Sequence, residues 1–322
     1  MLRQLRIALV MALVACALAA APRLGAQGTP QPGFADPLLG RWNLTVQGAD
    51  APYPSWLEVR LRKETELMAR FVGQSGSVRH VTRIEYRDGV LTFAVPVQYE
   101  QHKADLQFEG RLAGDTLEGT TQAADGRTLK WTGVRAPAPR PHRDPTWGQP
   151  VELFNGRDLT GWKPRTAQHA GCWQVQGGLL TNATPCVDLL TERAFGDFRV
   201  QLEFMYPQGS NSGIYLRGRY EVQINDDAGR AVDALRMGGV YGFLTPYTNA
   251  ARQAGEWQTF DITLVDRRVT VVLNGTTIID REIIPGITGG AIDSREDTPG
   301  PLLIQGDHGK ISFRKVTLTP AR

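Results

Sequence analysis

Two short runs hold the residues best suited to chemistry, Gly213-Ile214-Tyr215-Leu216-Arg217 and Tyr220-Glu221-Val222-Gln223-Ile224. Side chains alternate across a strand, so Tyr215 and Arg217 share one face while Ile214 and Leu216 take the other. Glu221 and Gln223 separate from Val222 and Ile224 in the same way. Whether the two polar sets meet depends on the parity of the connection. A three-residue loop at 218–220 pairs Arg217 with Glu221 and Tyr215 with Gln223. A two-residue loop would set Glu221 among Ile214 and Leu216, burying an unpaired carboxylate at a cost of several kcal/mol. The odd loop is therefore expected, and with it one polar face bearing Tyr, Arg, Glu and Gln.

That combination suits a carbohydrate. Sugar hydroxyls take paired donors and acceptors from Arg, Glu, Gln and Asn, and an aromatic ring covers the apolar face of a pyranose. Asn211-Ser212, Asn225-Asp226-Asp227, Tyr241 and Gln305-Gly306-Asp307-His308-Gly309 add groups of the same kind. The plainer alternative is a solvated sheet face with cross-strand ion pairing. His308 directly follows the apolar run Leu302-Leu303-Ile304 and its polar tail. A histidine at a strand end can exchange protons near neutral pH, and a neighbouring carboxylate often orients it. If the strand continues through 307–308, Asp307 points away from His308; a turn-capping histidine is the alternative role.

Other chemistries lack their motifs. There is no Gly-x-Ser-x-Gly elbow, no phosphate-binding glycine loop and no dinucleotide fingerprint. Gly238-Gly239 and Gly289-Gly290 read as turn residues. A net charge of +3 gives no reason to expect nucleic acid or an acidic membrane as partner. No Cys/His metal signature is present and no cofactor is required. Asp226-Asp227 could take a divalent cation, although one acidic pair is slender support.

Short strands must position these residues. Glycine (35) and proline (20) are plentiful and scattered through 322 residues, a length that suggests two domains. Residues 36–134 alternate in short runs (Leu57, Val59, Leu61; Leu91, Phe93, Val95; Leu106, Phe108), separated by Arg87-Asp88-Gly89 and Ala124-Asp125-Gly126 turns. A small antiparallel β-barrel or sandwich is expected. Gly40-Arg41-Trp42 resembles the opening of lipocalin-like barrels, with Trp42 read as a plug for one barrel end. Residues 135–150 carry five prolines and read as a semi-rigid linker. Residues 151–322 are again all β. Phe198, Val200, Leu202 and Phe204 alternate with polar neighbours, as do Phe260, Ile262 and Leu264, and Asn274-Gly275 signals a type I′ hairpin. Two packed antiparallel sheets are expected.

Residues 1–26 read as an export signal, with Arg3 and Arg6 before an apolar core and Leu24-Gly25-Ala26 at the cleavage site. Leu13-Val14-Ala15-Cys16 also resembles the lipobox of bacterial lipoproteins, which would anchor the chain to a membrane through Cys16. The expected address is periplasmic or secreted, with residues 27–35 a disordered leader. Without the signal, Cys172 and Cys186 remain. In an oxidising compartment they are a candidate disulfide, with two buried thiols the alternative.

Residues 151–320 resemble the 3-keto-disaccharide hydrolase domain family, bacterial proteins with a concanavalin A-like jelly-roll fold. The resemblance rests on LFNGRDLTGW at 153–162, Trp173 with GGLL at 177–180, the run from Phe198, NSGIYLR at 211–217, YEVQI at 220–224, GEW at 255–257, GPLLIQGDHG at 300–309, and Phe313-Arg314. Gln258 and Lys315 depart from it, each standing where asparagine is usual. It covers nothing of residues 36–134. It implies activity on glycosides already oxidised at C3 of the sugar. Such a ketone acidifies the hydrogen on C2, so a base can remove it and the C1 substituent leaves by elimination; water then adds back, for hydrolysis, or the unsaturated sugar is released, for a lyase. On these motif positions Glu221 and His308 are the acid/base candidates. Asn211, Tyr215, Arg217, Gln223, Tyr241, Gln305 and Asp307 are the candidates for holding sugar or enolate. A sugar 3-dehydrogenase would supply the substrate. The alternatives are a non-catalytic carbohydrate-binding module and a conventional retaining glycosidase, the latter needing a second carboxylate near Glu221, for which Glu203 is the strand candidate.

Overall fold

The computed structural model describes residues 36–63, 66–167, 170–183 and 186–322. The expected signal segment, its alternative acylation site Cys16 and the leader at 27–35 lie outside the described residues. Apart from two 3-10 turns, Asp36–Leu38 and Ala170–Cys172, the regular elements among the described residues are all strands.

The first half is a single antiparallel sheet of nine strands. Its first strand, Gly40–Gln47, pairs with Pro52–Arg62 on one side and with the last strand, Thr128–Arg135, on the other. The edges are Arg79–His80 and Arg83–Arg87, and the two residues between them close the seam. Val81 donates to Ala69 O and Thr82 to Ala94 O, each at 2.9 Å, so the sheet curls into a barrel. Inward positions fill it with Leu57, Val59, Leu91, Phe71 and Trp131, and with Phe93 stacked on Phe108 at 4.7 Å between centroids. Trp42 is fully buried at one end, its indole N–H on Leu38 O at 2.9 Å and the Arg135 guanidinium over its ring. It is a plug.

The second half is a sandwich of two antiparallel sheets, the jelly-roll-like architecture expected. One sheet has eight strands, in the order Trp173–Gln176, Leu179–Asn182, Ser312–Pro320, Phe198–Met205, Gln258–Val265, Arg268–Leu273, Thr276–Ile283, with Val151–Glu152 also on Ser312–Pro320. The other has five, in the order Trp162–Pro164, Leu189–Phe195, Gly300–Ile304, Asn211–Leu216, Tyr220–Asn225. The alternation read from the sequence becomes the core: Phe198, Val200, Leu202, Phe260, Ile262 and Leu264 from the larger sheet meet Ile214, Leu216, Val222, Ile224, Leu302 and Ile304 from the smaller. Asn274 and Gly275 both have positive φ, as a type I′ turn requires. Cys172 and Cys186 form a disulfide with Cα atoms 5.4 Å apart.

The halves share a core. Trp56 and Val72 of the barrel are fully buried among the residues of the sandwich interior, and Trp56 meets Phe243 edge-on at 5.3 Å. Gly286 makes that docking possible, because a Cβ there would stand 2.3 Å from the Trp56 indole. Asn43 donates to Ser294 O at 2.7 Å and Gly290 to Gln74 O at 2.9 Å. The proline-rich connection is laid along the sandwich. Pro137 O accepts from Arg267 at 2.9 Å, Arg140 pairs with Asp266 at 3.0 Å, and Trp147 bridges to Ala321.

Candidate functional site

On the outer face of the five-stranded sheet, the side chains of Tyr215, Glu221 and Gln223 are almost wholly buried. Even-numbered residues of Asn211–Leu216 and Tyr220–Asn225 enter the core, so Gly213, Tyr215, Glu221 and Gln223 point outward. Over them lies a hollow of about 420 Å3, within the range of about 300–1,000 Å3 typical of small-molecule sites. Its walls include the sequence candidates Asn211, Tyr215, Glu221, Gln223, Tyr241, Gln305, Asp307 and His308.

The connection has three residues, as expected, but the register is displaced. Tyr215 stands opposite Glu221 and Gly213 opposite Gln223, so the connection is Arg217-Gly218-Arg219 rather than 218–220. This removes Arg217 from the site. It sits in the turn with φ at 53°, outside the strand alternation; its guanidinium lies 5.4 Å from the Tyr220 ring centroid and donates to Asp266 O at 2.6 Å. Arg217 is a buried turn residue, and the expectation that it holds sugar or enolate is corrected.

Glu221 forms the floor and is 3% exposed. The Tyr215 hydroxyl hydrogen-bonds both its Oε2 and Gly289 O at 2.9 Å. With the Gln223 amide oriented to meet acceptors, its nitrogen donates to Glu221 Oε1 at 3.1 Å and Ser212 O at 3.0 Å. Gly213 supplies the space, since a Cβ there would lie 2.3 Å from Glu221 Oε1. Burial is the main influence on this carboxyl and pushes its pKa up to about 8, against the opposing Tyr215 hydrogen bond and the charge of His308. The Tyr215 phenol is held well above its ordinary range, first by burial and then by Glu221.

His308 stands at the rim, half exposed, with Nδ1 on Asp307 Oδ1 at 2.5 Å. Residues 305–309 are an irregular bend rather than a continuing strand, so the two neighbours meet where alternation would have parted them. The Asp307 hydrogen bond raises the imidazole pKa, with Glu221 and Asp188 adding to the effect. Asp307 is pushed up by burial, but His308 outweighs that and leaves it below the ordinary range. Gln305 is fixed by its backbone N–H on Gly213 O at 2.9 Å, while its side-chain Oε1 is buried without a partner among the described residues. A bound hydroxyl would satisfy it.

Several wall residues carried no local signal. Arg165 and Asp188 form an ion pair at 2.9 Å, and Arg165 also donates to Gly290 O at 2.8 Å. Burial raises the Asp188 carboxyl against that pairing. Both residues lie in aperiodic chain. Gly289-Gly290 are more than turn residues: Gly289 O anchors Tyr215, and a Cβ on Gly290 would come within 2.6 Å of the Tyr215 hydroxyl. Ser75, Gly76 and Tyr99 reach the hollow from the barrel.

Two other candidates belong elsewhere. Glu203 lies on the opposite sheet, paired with Arg314 at 2.6 Å, so it cannot face Glu221 as a second carboxylate. Asp227 is occupied by Arg236, Asn225 and the Met237 N–H, and Asp226 accepts from Gly209 N–H. These acids hold the loops together. What the hollow offers is proton transfer: a buried carboxyl poised near neutrality, a histidine biased toward its cation, and amide and phenol groups around them.

None of the curated proteins matches the chain. Among solved structures it is similar to two candidate glycosyl hydrolases from Parabacteroides distasonis ATCC 8503. The first is 29% identical over 56% of this chain and 92% of that one, with a TM-score of 0.46. The second is 23% identical over 54% and 94%, with a TM-score of 0.45. SCLam, a non-specific endo-β-1,3(4)-glucanase of family GH16, is 13% identical over 58% and 96%, with a TM-score of 0.37. Residues 149–319, more than half of the chain, match the 3-keto-alpha-glucoside-1,2-lyase-like domain, and the protein belongs to that family.

Proposed function

We propose that the protein cleaves glycosides already oxidised to a ketone at C3 of the sugar, by removing the C2 proton and expelling the C1 substituent. The observation that carries this reading is the buried Glu221 carboxyl, held between Tyr215 and Gln223, with the His308–Asp307 pair at the opening of the same hollow. A carboxyl that burial disfavours as an anion is a strong base once ionised. Glu221 takes the C2 proton, and the C–H electrons form an enolate with the C3 carbonyl. The enolate then re-forms the ketone while a C1–C2 double bond develops and the C1–O bond breaks. His308, whose hold on its proton Asp307 strengthens, protonates the departing oxygen. Adding water back, with hydroxyl to C1 and a proton to C2, completes hydrolysis; release of the unsaturated sugar makes the same protein a lyase. Gln305 Oε1, Gln223 and Asn211 suit the sugar hydroxyls. A sugar 3-dehydrogenase would supply the substrate, and the residue 1–26 segment would export the enzyme to meet it.

The test separates the two roles. Incubated with a 3-keto-glucoside in D2O, the wild type should exchange the C2 proton and cleave. Glu221→Gln should lose both by at least 100-fold, the lower end of the effect of a general base. His308→Asn should keep exchange and lose cleavage. For the wild type, kcat/KM should fall as pH drops below about 8, because the base is then protonated. Unchanged exchange in Glu221→Gln would remove that residue from the mechanism. Turnover of a plain glycoside at a similar rate would indicate a conventional glycosidase, and binding without turnover of either form would indicate a module.

A further inference from the structure

The barrel supplies part of the wall of the hollow, although nothing in the family resemblance covers it. Its loop 73–78 is pressed against the sandwich at positions that only glycine permits. A Cβ on Gly289 would stand 2.2 Å from Gly76 O, one on Gly242 would stand 2.9 Å from Val78 N, and Gly290 N–H donates to Gln74 O. A second barrel loop carries Tyr99, which is 63% exposed and lines the hollow beside Tyr241.

An exposed tyrosine is ordinary; an exposed tyrosine on an immobilised backbone above a reactive floor is not. Glu100 Oε2 accepts the backbone N–H of Gln98 at 2.8 Å and of Tyr99 at 3.1 Å. The same carboxylate is clamped by buried Arg79 at 2.6 Å, and Arg79 also donates to Pro96 O at 2.7 Å. Gln98 ties this loop to the other through two 3.0 Å bonds with Ser77. Stacking on a ring carried by a backbone tied this way costs little further backbone ordering, and a tyrosine ring has only two side-chain torsions to fix.

We propose that Tyr99 is the stacking platform of a subsite for the leaving group, so that the barrel sets which C1 substituents the enzyme accepts. The ligand chemistry is a flat ring with an apolar face, either a second pyranose or an aryl aglycone, bound while the oxidised sugar occupies the floor above Glu221. The proposal rests on the 3-keto-glycoside reading for the identity of the reaction, but not for the existence of the subsite.

The experiment compares the 3-keto forms of methyl α-glucoside, phenyl α-glucoside and maltose on wild type, Tyr99→Ala and Tyr99→Phe. Tyr99→Ala should lower the ratio of kcat/KM for the ring-bearing substrates to that for the methyl glycoside about tenfold, mainly through KM. Tyr99→Phe should restore it. A drop confined to the phenyl substrate assigns the platform to aryl aglycones, and one confined to maltose assigns it to sugars. A ratio unchanged in Tyr99→Ala, or not restored by phenylalanine, overturns the proposal. If the wild type turns over none of the three, the reaction assignment fails, and calorimetric titration with unoxidised maltose and phenyl α-glucoside decides the subsite. Weaker binding of either ring by Tyr99→Ala sustains it; equal binding of both overturns it.

Discussion

Glu221 holds a proton that water would take from it, and this has a consequence for the fold as well as for catalysis. Its pKa rises from 4.5 to about 8 on folding, so between those limits the native state keeps a proton that the unfolded chain has released. The stability tied to that proton is complete below 4.5, declines as pH rises, and is lost once pH passes through the folded value. Glu221→Gln removes the titration while keeping an acceptor for Tyr215. The melting temperature of the variant should therefore gain steadily on the wild type from about pH 5 to pH 8, and the two should converge near pH 4. Parallel curves over that range would mean that Glu221 ionises like an exposed carboxyl. The sequence marked Glu221 and His308 as the proton-transfer pair, because residue type and motif position are local. It left the Asp307–His308 contact open, because strand alternation would part the two neighbours and only a bend brings them together.

At the scale of elements, register and turns decided what pattern left open. Odd parity placed Tyr215, Glu221 and Gln223 on one face, since the opposite choice would bury a carboxylate among Ile214 and Leu216. The exact pairing was not legible: shifting the turn from 218–220 to 217–219 keeps every face and removes only Arg217 from the site. The disulfide acts at this scale too. Cys186 precedes Val187, whose carbonyl accepts the Trp173 indole N–H at 2.6 Å, and then Asp188 of the hollow. Replacing both cysteines by serine releases a 14-residue separation, which costs about 3 kcal/mol in the chain-entropy model. Thermal melting should register this as a fall of several degrees, with a loss of turnover because Asp188 and Arg165 lose their anchor. An unchanged melting curve would show that the Trp173 contacts suffice without the bridge.

At the scale of the whole molecule, barrel and sandwich share Trp56. Truncating a fully buried tryptophan costs about 3–5 kcal/mol, and this one belongs to both halves. Trp56→Ala should lower the single cooperative transition expected of the wild type, and calorimetry of the variant should show the barrel and sandwich beginning to melt separately. A wild-type scan that already contained two independent transitions would contradict a shared core. The composition of 135–150 marked a semi-rigid linker, but composition does not reveal what an extended segment lies against. Here it is bonded to Asp266 and Arg267 of the sandwich.

By itself the sequence determined what depends on near neighbours along the chain: two all-β halves from alternation and turn chemistry, the hairpin at Asn274-Gly275, the polar face of the Tyr220–Asn225 strand, and the family motifs. The tertiary structure decided what depends on packing between distant segments. It walled the hollow over the small sheet with Gly289-Gly290 and loops from the barrel, brought Arg165 and Asp188 to the wall, and left Glu221 only 3% exposed. Burial is a property of everything that surrounds a group. The raised pKa of the Glu221 carboxyl therefore follows from its surroundings in space and not from its neighbours along the chain.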